Sequence, residues 1–302
     1  MFRPFVVVIA LVAALTALTT APSTVVNVAH RGASAYAPEN TLAALALARE
    51  QGADMFEIDV RQTSDHELIL MHDGTLDRTT DAEEVYPDRS PWRVEDFTLE
   101  EIRALDAGSW VSPAYRGERV PTLEEALEAM RDSGLGLLLE IKEPHLYPGI
   151  EARVAGELLG DPYWLEPGRT VVQSFDWRSM RTFHAIVPDV PIGLLGKPAL
   201  RDLPSLASYA DQINPSHTTL TRDYVRRVHD AGMRVFTWTV DDPETMRRLI
   251  SWRVDGIITN KPDVLRGTAA DRASAQPDRL SLSSPARLSD PGARGVSPRP
   301  AG

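Results

Sequence analysis

His30 and Arg31 stand side by side at the end of an apolar run, VVNVAHRG, and His72 ends a second one, ELILMHDG. An imidazole donates and accepts protons near neutral pH, so two at one site suit a reaction in which one oxygen loses a proton while another gains one. Two alternating stretches add acids: DMFEIDV carries Glu57 and Asp59, and LLLEIK carries Glu140 and Lys142. Three carboxylates gathered in one place repel each other until positive charge joins them. One divalent metal ion, Ca2+, Mg2+ or Mn2+, takes oxygen ligands and would supply that charge. A structural ion-pair layer of the same acids with Arg31 and Lys142 is the competing reading. Arginine forks two hydrogen bonds onto a phosphate and lysine adds a point charge, so Arg31 and Lys142 beside a cation suit a phosphorylated substrate. His66, His145, His184, His217 and His229 lack a comparable place beside the acids.

These side chains converge only if the elements carrying them alternate. Side chains two apart on a strand share a face, so Phe56, Ile58 and Val60 point to one side while Met55, Glu57 and Asp59 point to the other. Leu139 and Ile141 likewise oppose Leu138, Glu140 and Lys142. The strands VVNVAH, DMFEIDV, LGLLLEI, RTVVQS, PIGLL, DQINPS, RVFTWTV and DGIIT alternate with helical patterns over residues 24–265. That rhythm predicts an α/β fold, a TIM (β/α)8 barrel whose apolar strand faces meet the helices. The acids then enter the interior near the C-terminal ends of the strands, where such barrels carry their active sites. Residues 74–119 exceed what one βα loop needs and read as a small insertion after the second strand region, lying over the site. The P-E-N-T segment before the first helix reads as a helix start with Asn40 or Thr41 near the cap, capping being the favoured role for Asn40. Glu39 has two open roles, orienting a metal ligand or meeting a substrate hydroxyl.

Both ends differ from this core. MFRP followed by an apolar run of about 14 residues reads as a signal peptide over residues 1–23, and Pro22 after Ala21 leaves an N-terminal membrane anchor as the alternative. The expected location is secreted or extracytoplasmic. Residues 266–302, rich in Ser, Pro, Ala and Arg, read as a disordered tail. Net charge is −11, which argues against nucleic acid as a partner and leaves a small-molecule substrate, with membrane or cell-surface association through the N-terminus. The chain has no cysteine, so disulfides, zinc-thiolate sites and thiol catalysis are excluded.

The ordered set AHRGASAYAPENT, FEIDVRQTSDHELILMHDGTLDRTTD, TLEEIRALDAGSW, GERVPTLEEAL, LLEIK, FTWTV and VDGIIT resembles the glycerophosphodiester phosphodiesterase family over about residues 26–265. The resemblance implies a TIM barrel and metal-dependent cleavage of glycerophosphodiesters to glycerol 3-phosphate and an alcohol. It implies that His30 and His72 are the catalytic acid/base pair and that Glu57, Asp59 and Glu140 hold the metal. It places Arg31 at the phosphate, Lys142 as a substrate-side cation and Glu39 in the pocket. Trp238 becomes an apolar wall for the substrate, with barrel packing as its other role. Two positions depart from the family pattern: Asp241 stands where asparagine is common, and Asn260 where aspartate is common. Neither is expected to touch the metal or acid/base positions. A phospholipase D-like lipid phosphodiesterase on the same barrel is the alternative, with an apolar rim supplied by Trp92, Phe97 and Trp110; a non-catalytic phosphodiester-binding protein is the other.

Overall fold

The structure is a computed structural model that describes residues 25–274. The expected signal segment lies outside the described residues, as do residues 275–302 of the expected tail.

Eight parallel strands close on themselves: β1 (Val26–Ala29), β2 (Met55–Gln62), β4 (Gly136–Ile141), β5 (Thr170–Ser174), β6 (Ile192–Leu195), β7 (Gln212–Asn214), β8 (Arg234–Thr237) and β9 (Gly256–Thr259). β1 pairs with both β9 and β2, which shuts the barrel. A short β3 (Leu68–Leu70) lies antiparallel on β2 and takes no part in the closed ring. The helices are α1 (Leu42–Glu50), α2 (Ala82–Val85), α3 (Leu99–Arg103), α4 (Leu123–Met130), α5 (Ile150–Gly160), α6 (Trp177–Ile186), α7 (Leu203–Leu206), α8 (Arg222–Asp230), α9 (Pro243–Ser251) and α10 (Pro262–Ser274).

Strand alternation divides the core as the sequence predicts. Phe56, Ile58, Val60, Leu139 and Ile141 join the main core shared with the helices. Met55 and Leu138 instead pack with Val28, Val171, Phe236 and Ile258 in a second, smaller cluster. Glu57, Asp59 and Glu140 share the strand face of Met55 and Leu138, above that apolar plug. The β2–β4 register sets Asp59 beside Glu140.

Helix α1 corrects one expectation. Its cap is Thr41, whose hydroxyl accepts from the Ala44 amide at 3.3 Å, whereas Asn40 sits just outside in a left-handed conformation with φ 56°. Asn40 turns inward to the second strand. The tail boundary also moves, because α10 carries the fold from Pro262 to Ser274 and buries Leu265.

The insertion forms its own small core, with Ile69 and Met71 as its base and Leu76, Val94, Phe97 and Ile102 above. Of the aromatics expected to form an apolar rim, Phe97 is fully buried and Trp92 packs against this core, while Trp110 is 43% exposed. Tyr115 of the insertion donates its hydroxyl hydrogen bond to the Tyr36 carbonyl, tying it to the loop after β1. No described helix is long and apolar enough to cross a membrane.

That loop turns at Gly32, with φ +80°, and a Cβ there would come within 2.6 Å of the Ala44 backbone. Gly32→Ala is expected to lower stability by about 2–4 kcal/mol, from left-handed strain plus overpacking, measured by denaturant unfolding. Gly156, inside α5, has nothing within 4 Å of the place a Cβ would take, so Gly156→Ala should raise stability by about 0.5–1 kcal/mol. Equal responses at the two positions would contradict this reading of the β1–α1 turn.

Candidate active site

β2 and β4 deliver the three acids to one point. One oxygen from each of Glu57, Asp59 and Glu140 lies within 4.8 Å of the others, and all three residues are buried. Their charges are compensated unequally. Asp59 meets Arg31 Nε at 3.1 Å and Lys142 Nζ at 3.6 Å, and Asn40 Nδ2 donates to it at 2.9 Å. Burial opposes its ionisation, but Lys142 and Arg31 outweigh it and hold the carboxyl down at about 2. Glu140 has Lys142 at 2.8 Å, yet burial and the Asp59 charge push it up to about 7. Among the described residues Glu57 accepts a hydrogen bond from the Arg31 backbone amide alone, at 2.8 Å, and burial with the two neighbouring acids drives it well above the carboxylate range.

This donor set fits a hard divalent cation. Two of three buried carboxylates cannot ionise comfortably without more positive charge than Arg31 and Lys142 provide, and all three offer oxygen. The ion-pair layer considered as an alternative also forms around Asp59 and Glu140, while Glu57 has no side-chain ion pair among the described residues.

His30 and His72 line one cavity of about 90 Å³ with Arg31, Glu57, Glu140 and Lys142. The sequence pattern gathers these six, and the structure does as well. Asp59 lies beneath, paired to the Arg31 and Lys142 side chains that line the cavity. Trp238 also lines it, with its indole N–H donated to the Asn214 carbonyl at 2.8 Å, so the ring serves as wall while the polar edge belongs to the barrel.

Each histidine has a different partner. His30 Nδ1 lies 2.7 Å from Asn260 Oδ1. The Asn260 side-chain amide donates to Asp241 Oδ2 at 2.7 Å and its backbone N–H donates to Asp241 Oδ1 at 2.8 Å. The expectation that Asp241 and Asn260 avoid the acid/base positions is therefore corrected: together they orient His30. The reason is the closed ring, which sets the end of β9 against the end of β1, so Thr259 pairs with Ala29 across 230 residues. His72 Nδ1 meets Asp73 Oδ1 at 2.6 Å, and Asp73 is bound on its other oxygen by Arg78 of the insertion.

Glu39 acquires definite contacts. It accepts from Arg31 Nη1 at 2.9 Å and from Arg78 at 2.6 and 3.0 Å. It thus links two guanidiniums, and they hold its carboxyl below the ordinary range against burial. A continuous chain of charges runs from His72 through Asp73, Arg78, Glu39 and Arg31 to Asp59.

Sequence reasoning missed Arg78 and Phe175. Arg78 lies within the quoted HDGTLDRTT motif, but its pairing with Glu39 depends on how the insertion folds back. Phe175, just past β5, is 55% exposed and packs edge-to-face on Trp238 with ring centroids 5.7 Å apart. An exposed phenylalanine at the C-terminal end of a barrel strand was the available signal.

Residues 30–264 match the model of the glycerophosphoryl diester phosphodiesterase family. A glycerophosphodiester phosphodiesterase of Caldanaerobacter subterraneus is 39% identical, over 79% of this chain and 95% of the relative. One of Bacillus subtilis is 35% identical, over 80% of this chain and 86% of the relative. Among solved structures, an Oleispira antarctica phosphodiesterase in complex with the product sn-glycerol-3-phosphate is 29% identical, covers 81% of this chain and 96% of its own, and superposes with a TM-score of 0.73. With the family model spanning the barrel from His30 to the start of α10, the chain belongs to the glycerophosphoryl diester phosphodiesterase family.

Proposed function

We propose that the protein hydrolyses glycerophosphodiesters to glycerol 3-phosphate and an alcohol, with His30 and His72 as base and acid and one divalent ion on Glu57, Asp59 and Glu140. The observation that carries this is the shared cavity, in which two differently backed histidines flank the acid cluster. The product bound to the Oleispira relative supports the glycerol 3-phosphate end. When bound, the ion supplies positive charge at the nonbridging phosphate oxygens and relieves repulsion among the acids.

The chain's own groups supply the proton transfers. Asp241 takes both Asn260 donors, so Asn260 turns its carbonyl oxygen to His30 and accepts from Nδ1–H. That fixes the tautomer with a lone pair on Nε2. Burial and the adjacent Arg31 push His30 down to about 4, keeping it neutral and ready to take the proton of the attacking oxygen. The same base serves water or a neighbouring hydroxyl of the substrate. His72 has a carboxylate behind it, which supports the imidazolium although burial lowers its pKa, so His72 is assigned the proton given to the leaving alkoxide. Lys142, and Arg31 held by Glu39, face the phosphate as fixed positive charges. Two of the three rim aromatics are spent in the insertion core, which favours a small diester over an embedded lipid. Export or anchoring through residues 1–23 belongs to the same proposal and rests on that segment's apolar run.

Glycerol 3-phosphate release from a panel of glycerophosphodiesters should vanish with chelator and return on adding Mg2+, Ca2+ or Mn2+. Lack of turnover on the whole panel with all three ions would sink the proposal. His72→Ala should lower kcat by roughly 10²–10⁴-fold. The double exchange Asp241→Asn with Asn260→Asp keeps the hydrogen-bond chain but sets a carboxylate on His30. A carboxylate favours the charged imidazole, so the acidic limb of the pH profile of kcat/KM should move to higher pH. An unmoved limb would remove His30 from the base role.

A further inference from the structure

Arg61 is the next inward-facing residue of β2 after Glu57 and Asp59, and it is buried. It lines the wider groove beside the catalytic cavity rather than the cavity that holds His30, Arg31 and Glu57. Its guanidinium grips two loops at once. Nε and Nη2 both donate to the His72 carbonyl, at 3.0 and 2.8 Å. Nη1 donates to the Tyr147 hydroxyl at 3.4 Å and pairs with Glu143 Oε2 at 2.8 Å. Tyr147 is itself buried in the main core, and Glu143 turns back to the arginine from a left-handed backbone at φ 39°.

The strands that carry the acids therefore also fix the loop that carries His72. β2 supplies Arg61, and the segment after β4 supplies Glu143 and Tyr147. Burying a guanidinium costs stability unless it is well paired, and Glu143 is half-exposed, so solvent screens that pair. What the buried group secures is direction. A rigid planar fork with two N–H groups on one carbonyl oxygen fixes the His72 backbone in a way that a single flexible donor does not. The imidazole is held separately: Nδ1 lies 2.6 Å from Asp73 Oδ1, which leaves Nε2 for the substrate. Backbone and ring of the same histidine thus have different keepers.

We propose that Arg61 is a positioning residue for protonation of the leaving group: it sets where His72 stands over the ester oxygen, and Glu143 with Tyr147 sets Arg61. As the bond from phosphorus to that oxygen breaks, the oxygen keeps the electron pair and takes the proton from His72 Nε2, and the imidazolium becomes neutral. The inference rests on the hydrolytic reading above, with His72 as its acid.

Leaving groups of different basicity separate this role from a merely structural one, because an alkoxide needs a proton as it departs and 4-nitrophenolate does not. The purified full chain is compared on glycerophosphoethanolamine and on the 4-nitrophenyl ester of glycerol 3-phosphate, with a saturating divalent ion. Arg61→Lys keeps a cation for Glu143 and loses the fork. Its kcat on the ethanolamine ester is expected to fall at least about tenfold with KM within about twofold, while kcat on the nitrophenyl ester falls less than about threefold. His72→Ala should show the same split, larger. Glu143→Gln, which keeps the shape of a half-exposed side chain, should lower kcat on the ethanolamine ester alone, by at least about threefold, and decides the matter if the lysine variant does not fold. Equal losses on both esters make Arg61 a structural support only and overturn the inference. A rise in KM with kcat unchanged also overturns it, because Arg61 would then bind substrate, and so does the absence of any loss. If His72→Ala shows no split, the acid assignment falls and takes this inference with it, while hydrolysis itself stands. Turnover of neither ester by the unaltered chain overturns the hydrolytic reading as well.

Discussion

Burying three carboxylates at the mouth of one barrel is the constraint that organises this molecule. Isolated buried charges are costly, and like charges at this spacing cannot all ionise without compensation. Arg31 and Lys142 compensate Asp59, and Lys142 reaches Glu140 as well. Glu57 is left to the Arg31 backbone amide. The site's own geometry therefore leaves it short of positive charge, and burial with the neighbouring acids raises both glutamates above the ordinary carboxylate range.

The rest of the mouth follows from keeping those cations in place. Arg31 is fixed by Glu39, Glu39 by Arg78, and Arg78 by Asp73, which in turn orients His72. One network thus sets both the charge at the acids and the direction of the imidazole. Several residues that hold it adopt left-handed backbone conformations: Arg31 and Asn40 at φ 56° and Glu143 at φ 39°. Such conformations cost about 1–3 kcal/mol each and persist where surrounding contacts over-determine them. Here Asn40 is fastened by its two hydrogen bonds to Asp59, and Glu143 by Arg61.

Much of this is legible in the sequence because strand alternation is a local rule. The period of two in DMFEIDV and LLLEIK places Glu57, Asp59, Glu140 and Lys142 on the interior face without any knowledge of the third dimension. The histidines are legible because each ends an apolar run. Asn40 misleads because its local signal, a polar residue before a helix, is the same whether it caps the helix or turns toward a strand; the Asp59 contact decides it, and that contact is tertiary. Asn260 misleads for a related reason, since closure of the ring brings it to His30 from the far end of the chain. Arg78 and Phe175 act through an insertion fold and a loop whose side-chain directions follow no period.

Glu57, Asp59 and Glu140 are proposed to form a divalent-ion site whose two glutamates hold protons more readily than ordinary carboxylates in the ion-free protein. Calorimetric titration of the ion-free chain with Mg2+, Ca2+ or Mn2+, repeated in buffers of different ionisation enthalpy, counts the protons released. Glu140 is pushed up to about 7 and Glu57 is also raised, so binding near pH 6 should expel protons, and the share from Glu140 should fall as pH rises past about 7. Affinity should strengthen over the same interval. Binding that releases no protons at any pH, or that survives Glu57→Gln with unchanged affinity and proton count, would contradict the claim.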